Sequence, residues 1–156
     1  MALNLRKATK ADAEILFRWR NEPETRANSF HTEPIPYEKH VAWLTAALLN
    51  PAQEIYIFCD DDVPIGQVRL SVESEVATIS YSIDATYRTK GYGQEMLRCV
   101  EKLCAERGAP PILQGYVKNK NIASQVIFKR LGYVAAVAPN LEDCLLYTKS
   151  KLQGGL

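Results

Sequence analysis

The sequence predicts a single domain of the mixed α/β (α+β) class, with about seven strands in a central sheet and about four flanking helices. Two observations lead to this prediction. Apolar residues recur at helical spacing in some segments and alternate with polar residues in others. The chain has 156 residues, of which 47% are apolar and 24% are charged, as is usual for one globular domain. These values exclude a disordered chain, a fibrous repeat and a small disulfide scaffold.

The pattern assigns most of the chain to helices and strands. The predicted elements are, in order, a strand at residues 3–5, a helix at 9–21, an irregular or briefly helical stretch at 22–36, a helix at 36–49, strands at 54–59, 68–72 and 79–83, a helix at 94–107, a strand at 112–117, a helix at 121–130, and short strands at 133–137 and 145–148. We expect residues 1–150 to form the domain and residues 151–156 to form a flexible tail.

Each predicted helix has a start or stop signal. Thr9 is a typical N-cap, and Pro23 ends the first helix. Pro36 suits the start of the second helix, because proline fixes φ and lacks an N–H group. Gly108 and Gly132 are placed to terminate the third and fourth helices. The residues expected to face the core are Val41, Leu44 and Leu48 in the second helix and Ala123, Val126, Ile127 and Leu131 in the fourth.

The three central strands are predicted to form an antiparallel meander. The turns between them are expected at Asp60–Asp62 and at Glu73–Glu75. Val68, Leu70 and Val72 alternate with polar residues, which indicates one buried face.

Charge, cysteines and histidines limit the possible partners. The 19 Lys and Arg residues nearly balance 18 Asp and Glu residues, so neither nucleic acid nor an anionic membrane is an expected partner. The four cysteines form no close pair and lie in apolar runs, as reduced thiols of a cytoplasmic protein do. With only two histidines in the chain, we expect no metal site.

The most informative segment is the connection from Ile83 to Gly93, between a strand and the most regular helix. Gly91 and Gly93 allow successive backbone N–H groups to face one point, and the helix dipole lies behind them. Arg88 and Lys90 add positive charge, so a diphosphate-binding loop is predicted. An ordinary strand–helix connection is the alternative. A dinucleotide-binding Rossmann loop is excluded because Met96 replaces its third glycine, and no Walker A sequence follows.

Two segments resemble the GCN5-related N-acetyltransferase (GNAT) family. Residues Arg88–Gly93 match its R-x-x-G-x-G signature, and Asn121–Tyr133 is similar to its second motif. The resemblance covers nearly the whole chain. It implies acetyl-CoA as cosubstrate, and a bulged strand at Ile79–Asp84 that opens a V-shaped split against the strand at 112–117. The cofactor-binding residues it implies are Ile83, Arg88, Thr89, Lys90, Gly91, Tyr92, Gly93, Asn121 and Ser124.

The acid and base of the family are not recognisable in this chain. Phe128 stands where many members have a tyrosine that protonates the CoA thiolate, and Tyr116 stands near the position of a glutamate base. Two mechanisms therefore remain open. In one, an amine arrives deprotonated and attacks directly. In the other, a base acts through water, and the candidate catalytic residues are Tyr81, Asp84 and His31, with Glu33 as a fourth.

The acceptor is expected to bind between the first two helices. This stretch is similar to acetyltransferases that modify nucleotide-linked amino sugars in pseudaminic acid synthesis. The candidate substrate-binding residues are Arg20, Asn21, Arg26, Ser29, His40, Trp43 and Tyr116. Trp43 can stack on a sugar or a base, or it can belong to the core, and Arg26 can be a solvated surface charge.

Three functions follow from this resemblance. The first is acetyl transfer to the primary amine of a small molecule, with a nucleotide-linked amino sugar favoured. The second is acetylation of a protein N-terminus of the ribosomal type, and the third is non-catalytic binding of acyl-CoA. We expect a monomer or a homodimer.

Overall fold

A seven-stranded sheet forms the centre of the structure, a computed structural model that describes residues 2–150. The strands are β1 (Leu3–Lys7), β2 (Gln53–Asp60), β3 (Val63–Glu73), β4 (Val76–Ile83), β5 (Ile112–Lys118), β6 (Val134–Val137) and β7 (Cys144–Ser150). Their order across the sheet is β1-β2-β3-β4-β5-β7-β6. The predicted tail at 151–156 lies outside the described residues. No helix within 2–150 is long and apolar enough to cross a membrane.

Residues 2–150 contain five α-helices. They are α1 (Ala13–Asn21), α2 (Pro23–Asn28), α3 (Tyr37–Leu49), α4 (Tyr92–Arg107) and α5 (Ile122–Arg130). The predicted cap at Thr9 is confirmed, because its hydroxyl accepts from the Ala11 N–H while Asp12 accepts from the Thr9 N–H. A short 3₁₀ turn at Lys10–Asp12 therefore precedes α1. Gly108 ends α4 with a φ of 71°, as its C-cap position requires.

The predicted antiparallel meander is formed by β2, β3 and β4. The register of this meander differs from what the family resemblance implies for β4. The pairing of β3 with β4 runs without interruption from Glu73–Val76 to Gly66–Ile83, so the bulge expected at Ile79–Asp84 is absent from this ladder. The expectation of a bulged β4 was wrong.

A V-shaped split between β4 and β5 nevertheless opens. The two strands are parallel neighbours only where Val76–Thr78 pairs with Ile112–Gln114. Beyond these residues β4 stays paired with β3, and β5 stays paired with β7 as far as Lys118. Each strand follows its antiparallel partner, so the strands diverge and leave two unpaired edges facing one another.

Two apolar clusters cover the faces of the sheet. On one face α1 and α3 pack over alternate residues of β2, with Leu16, Leu44 and Ile57 buried. On the other face, the core joins α4, α5 and the alternating residues of β3, including the fully buried Val68 and Leu70. The alternation predicted for β3 is thus confirmed, and its other side chains face the α1–α3 side.

The inward faces of two helices differ from the expectation. In α5 the buried residues are Ser124 and Phe128, whereas Ala123 and Val126 are exposed. The reason is Gly115 on β5: it has no side chain, so the Phe128 ring lies directly on the strand and sets the rotation of α5. In α3, Leu44 is buried as predicted and Val41 and Leu48 are half-buried against the same cluster, while His40 and Ala47 are buried beside them.

Candidate active site

The loop between β4 and α4 forms an anion-binding cradle, which we define as residues 88–93. Thr89 and Gly91 both have positive φ values, 63° and 84°. A positive φ in a β-branched residue is strained, and alternation of this kind turns neighbouring N–H groups towards one point. In the described part of the chain, the N–H groups of Thr89, Lys90 and Gly91 donate no hydrogen bond.

The start of α4 adds further donors to the cradle. The first N–H groups of a helix have no partner within the helix, and they carry its partial positive charge. A Cβ atom at Gly91 would meet nothing within 4 Å, so the space beside the cradle is open to a ligand. The requirement for glycine at this position is therefore conformational. The cradle has the form and the charge needed for a diphosphate.

The guanidinium of Arg88 is bonded to α2 rather than left free for a ligand. Its guanidinium donates to Glu22 at 2.7 Å and to Glu24 at 2.6 Å, and Thr25 lies 3.1 Å away. Its Nε donates to the Ile83 carbonyl at 3.1 Å. The charge expected to serve the diphosphate is thus neutralised by α2, and Arg88 holds α2 against the loop. The ion pair lowers the pKa of Glu22 to about 2.

One continuous cavity of about 1050 Å³ extends from the cradle to the space between α1 and α3. At one end it is lined by Gly91 and Gly93, and at the other by Arg20 and Trp43. Its middle is the opening of the V, which is lined by Tyr81 from β4 and Tyr116 from β5. A ligand in the cradle and a second ligand near Trp43 can therefore meet at the V.

A pair of hydroxyl groups lies at this opening. The Tyr81 hydroxyl is 2.7 Å from the Ser124 Oγ, and either group can be the donor. Burial raises the pKa of Tyr81 to about 12, although the contact with Ser124 opposes the shift. Tyr81 is therefore protonated at neutral pH and can hold or pass on a proton, but it is a poor base.

The other two candidate catalytic residues have different surroundings. Asp84 accepts from the Trp19 indole N–H at 2.8 Å and from the Thr86 N–H at 2.9 Å. Burial disfavours its ionisation, but these hydrogen bonds and the charge of Arg18 outweigh burial and lower its pKa. Its oxygens thus cap a turn. His31 is exposed in the loop between α2 and α3, at the rim of the cavity together with Glu33.

The candidate acceptor residues fall into two groups. The residues that line the cavity are Arg20, Ser29, His40, Trp43 and Tyr116. Asn21 and Arg26 lie outside the lining and hold the α2–α3 loop: Asn21 exchanges two hydrogen bonds with the backbone of Ile35, and Arg26 donates to the Thr32 carbonyl. His40 is only 1% exposed, and burial together with the charge of Arg20 lowers its pKa.

A comparison with protein-family models identifies the family of this fold. Residues 2–134 match the model of the acetyltransferase (GNAT) domain. The chain belongs to the GNAT family. The prediction from the two motifs is confirmed, and the protein is an acyl-CoA-dependent N-acetyltransferase. No curated protein matches the sequence.

Solved structures share the GNAT fold at low sequence identity. A domain from Methanocaldococcus jannaschii has a TM-score of 0.84 and 20% identity, covering 96% of this chain and 98% of its own. RimL, a ribosomal L7/L12 α-N-protein acetyltransferase in complex with coenzyme A, has a TM-score of 0.84, 17% identity and coverages of 96% and 94%. AAC(6')-Ib in complex with ribostamycin and coenzyme A has a TM-score of 0.85, 16% identity and coverages of 99% and 97%.

The cavity of this GNAT domain includes residues that sequence reasoning missed. They lie on the polar face of β3 and β4 and form the floor of the cavity near α1 and α3: Gln67, Arg69, Thr78, Ser80 and Ser82. A signal was present, because Arg69 is a charged residue between two apolar ones in a central strand. Only the packing of α1 and α3 shows that this face lines a cavity rather than meeting solvent.

Proposed function

We propose that the protein transfers an acetyl group from acetyl-CoA to the primary amine of a small molecule, and that a nucleotide-linked amino sugar is the favoured acceptor. The observation that carries the proposal is the single cavity joining the cradle to the Trp43 end through the V. The diphosphate of CoA would bind at the cradle, Asn121 and Ser124 would line the path of its arm, and the thioester would reach Tyr81.

The chemistry needs a neutral amine and a route for one proton. The amine nitrogen forms a bond to the thioester carbonyl carbon, and the carbon–sulfur bond then breaks to release the CoA thiolate. The ammonium formed on attack loses one proton, and the thiolate gains one. The Tyr81–Ser124 pair can carry that proton, since each hydroxyl can accept one proton and donate another. Phe128 takes no part in this transfer.

The polar floor supports a hydroxyl-rich acceptor. Gln67 donates to Ser82 at 3.0 Å, and Gln114 donates to Thr78 at 2.9 Å. Ser80 lies between these pairs on β4 and is exposed to the cavity. A sugar bound on this floor could exchange hydrogen bonds with these groups.

The test is an assay of CoA thiol release with acetyl-CoA and a panel of amines. The panel contains nucleotide-linked amino sugars, free amino sugars, polyamines and N-terminal peptides of ribosomal proteins. Turnover with amino sugars above the acceptor-free rate would support the proposal. Turnover confined to peptides would instead make this a protein N-terminal acetyltransferase, and binding of acetyl-CoA without turnover on any amine would leave a binding module.

The proton route is tested with Tyr81→Phe. We expect kcat to fall about a hundredfold, at the lower end of what a positioned proton donor contributes, with little change in the KM for acetyl-CoA. Tyr37→Phe is the matched control, because Tyr37 is 41% exposed and outside the cavity lining. An unchanged kcat in Tyr81→Phe would contradict the role of the hydroxyl pair.

A further inference from the structure

Arg20 on α1 and Arg69 on β3 have no carboxylate partner among the described residues. Five other arginines do have one, and some of these are exposed: Arg6 pairs with Asp12 at 2.8 Å and Arg107 with Glu54 at 2.7 Å. Arg20 and Arg69 are less exposed than either. Two partly buried cations without an anion are costly to keep in a folded protein.

The two guanidinium groups converge on one side chain. The Cζ of Arg20 lies 5.2 Å from the centre of the Trp43 ring, and the Cζ of Arg69 lies 5.3 Å from it. These cation–π contacts offset part of the cost. They supply no hydrogen-bond acceptor, and the buried Nε of Arg69 has no partner within residues 2–150.

The electrostatic surroundings confirm that the pair lacks a counter-charge. Burial lowers the pKa of Arg69, and the charge of Arg20 lowers it further. Burial also lowers the pKa of Arg20. Both residues line the large cavity, whereas a shallower groove beside Trp43 is lined by Arg69 but not by Arg20. An anion that contacts both guanidinium groups must therefore enter the large cavity.

We propose that Arg20 and Arg69, held by Trp43, bind an oxyanion of the acceptor, so that the substrate is an amine that also carries a phosphate or a carboxylate. The proposal rests on the proposed function, because the oxyanion would belong to the molecule that is acetylated. Guanidinium groups donate strong, paired hydrogen bonds to both kinds of oxyanion. The same pair would repel polycationic amines such as spermidine and ribostamycin.

Direct binding tests the site without any turnover. The protein is saturated with CoA to fill the cradle, and inorganic phosphate or acetate is then titrated in a calorimeter. We expect phosphate or acetate to bind to the wild type, and its Kd to rise at least about tenfold in Arg69→Gln and in Arg20→Gln. Arg98→Gln, on the exposed face of α4, is the matched control and should leave the Kd unchanged.

Two results would overturn the site. One is no binding of either anion to the CoA-loaded wild type, and the other is equal Kd values in the wild type and in a folded Arg69→Gln. The melting temperatures of the variants distinguish a loss of folding from a loss of anion binding. Removal of an unpaired buried charge should not destabilise the protein, so we expect Arg69→Met to melt at or above the wild-type temperature. A clear fall in both Arg69→Met and Arg69→Gln would show that Arg69 is structural, and would also overturn the proposal.

Assays with matched acceptors show whether the oxyanion is a phosphate or a carboxylate. Glucosamine, glucosamine 6-phosphate and glucosaminic acid differ in carrying no anion, a phosphate or a carboxylate. We expect one of the anionic amines to have a lower KM than glucosamine, and Arg69→Gln to remove that advantage without changing the KM for acetyl-CoA. A preference for spermidine or ribostamycin would contradict the oxyanion site. Failure of every amine would contradict the proposed function, while the calorimetric result on the anion would stand by itself.

Discussion

Phe128→Tyr would add a hydroxyl to the ring that replaces the usual tyrosine of the family. Phe128 is 1% exposed and packs on Tyr147 and Tyr133, with ring centres 5.4 Å and 4.9 Å away. Its Cζ would be 2.6 Å from a Cβ placed on Gly115, and the two neighbouring ring carbons would be 3.2 Å from it. The para position thus points at β5, and a hydroxyl there would collide with the strand.

The size of the effect follows from this packing. Insertion of one heavy atom into a filled core costs about 1–3 kcal/mol. For a domain of this length each kcal/mol lowers the melting temperature by roughly 2–4 °C. We therefore expect Phe128→Tyr to melt about 2–12 °C below the wild type. We also expect turnover to gain nothing, because the new hydroxyl is not directed into the cavity.

Two measurements check this expectation. Differential scanning calorimetry gives the melting temperature, with Phe30→Tyr as a control for stability, because Phe30 is 53% exposed and has room for a hydroxyl. The rate of CoA thiol release gives turnover. A melting temperature equal to that of the wild type, together with a gain of a hundredfold or more in kcat, would refute the reasoning and restore position 128 as the acid of the family.

Three further predictions concern the cradle, the acceptor end and the ion pair that joins α2 to the cradle. Gly91→Val should weaken CoA binding far more than it lowers the melting temperature, since a β-branched residue resists a φ of 84°; equal CoA affinity in calorimetry would contradict it. Trp43→Ala should raise the KM of the acceptor and leave that of acetyl-CoA nearly unchanged; a rise in both, with a lower melting temperature, would place Trp43 in the core. The pKa of Glu22 is lowered to about 2, so its ion pair with Arg88 should stabilise the protein fully above about pH 4.5 and progressively less towards pH 2. The melting temperature of Glu22→Gln should therefore fall less over this range than that of the wild type, and parallel curves would exclude the contribution.

The shape of the loop proposed to bind CoA could be predicted from the sequence because it depends on neighbouring residues. The cradle consists of consecutive residues whose backbone N–H groups would bind the diphosphate, and its two glycines and the helix start that follows can be read from the sequence. The meander and the cap at Thr9 could also be predicted, because both depend on residues close together in the sequence. The split between β4 and β5 came from the family motifs, and the structure explains it by pairing partners rather than by a bulge.

The acceptor half could not be predicted in the same way because its residues meet only through long-range packing. Arg20 was a candidate from the sequence, but Arg69 lies 49 positions further along the chain and no motif marks it. Ile127 and Leu131 pack in the core as predicted. The prediction that Ala123 and Val126 of α5 face the core was wrong, because periodicity weighs side chains by their hydrophobicity and ignores the strand beneath. The absence of a side chain at Gly115 decides which residue of α5 lies inward.

The contrast between Arg88 and Arg69 shows how charge is divided in this cavity. At the cradle, the signature arginine is neutralised by Glu22 and Glu24, so only backbone N–H groups would be left to bind CoA. At the other end, Arg20 and Arg69 keep their charges, and only an aromatic ring offsets their burial. A chain selected for stability alone would replace such a pair or supply a carboxylate. The cost is recovered when an anion enters, so the free energy that the fold gives up at this end becomes binding free energy for the acceptor.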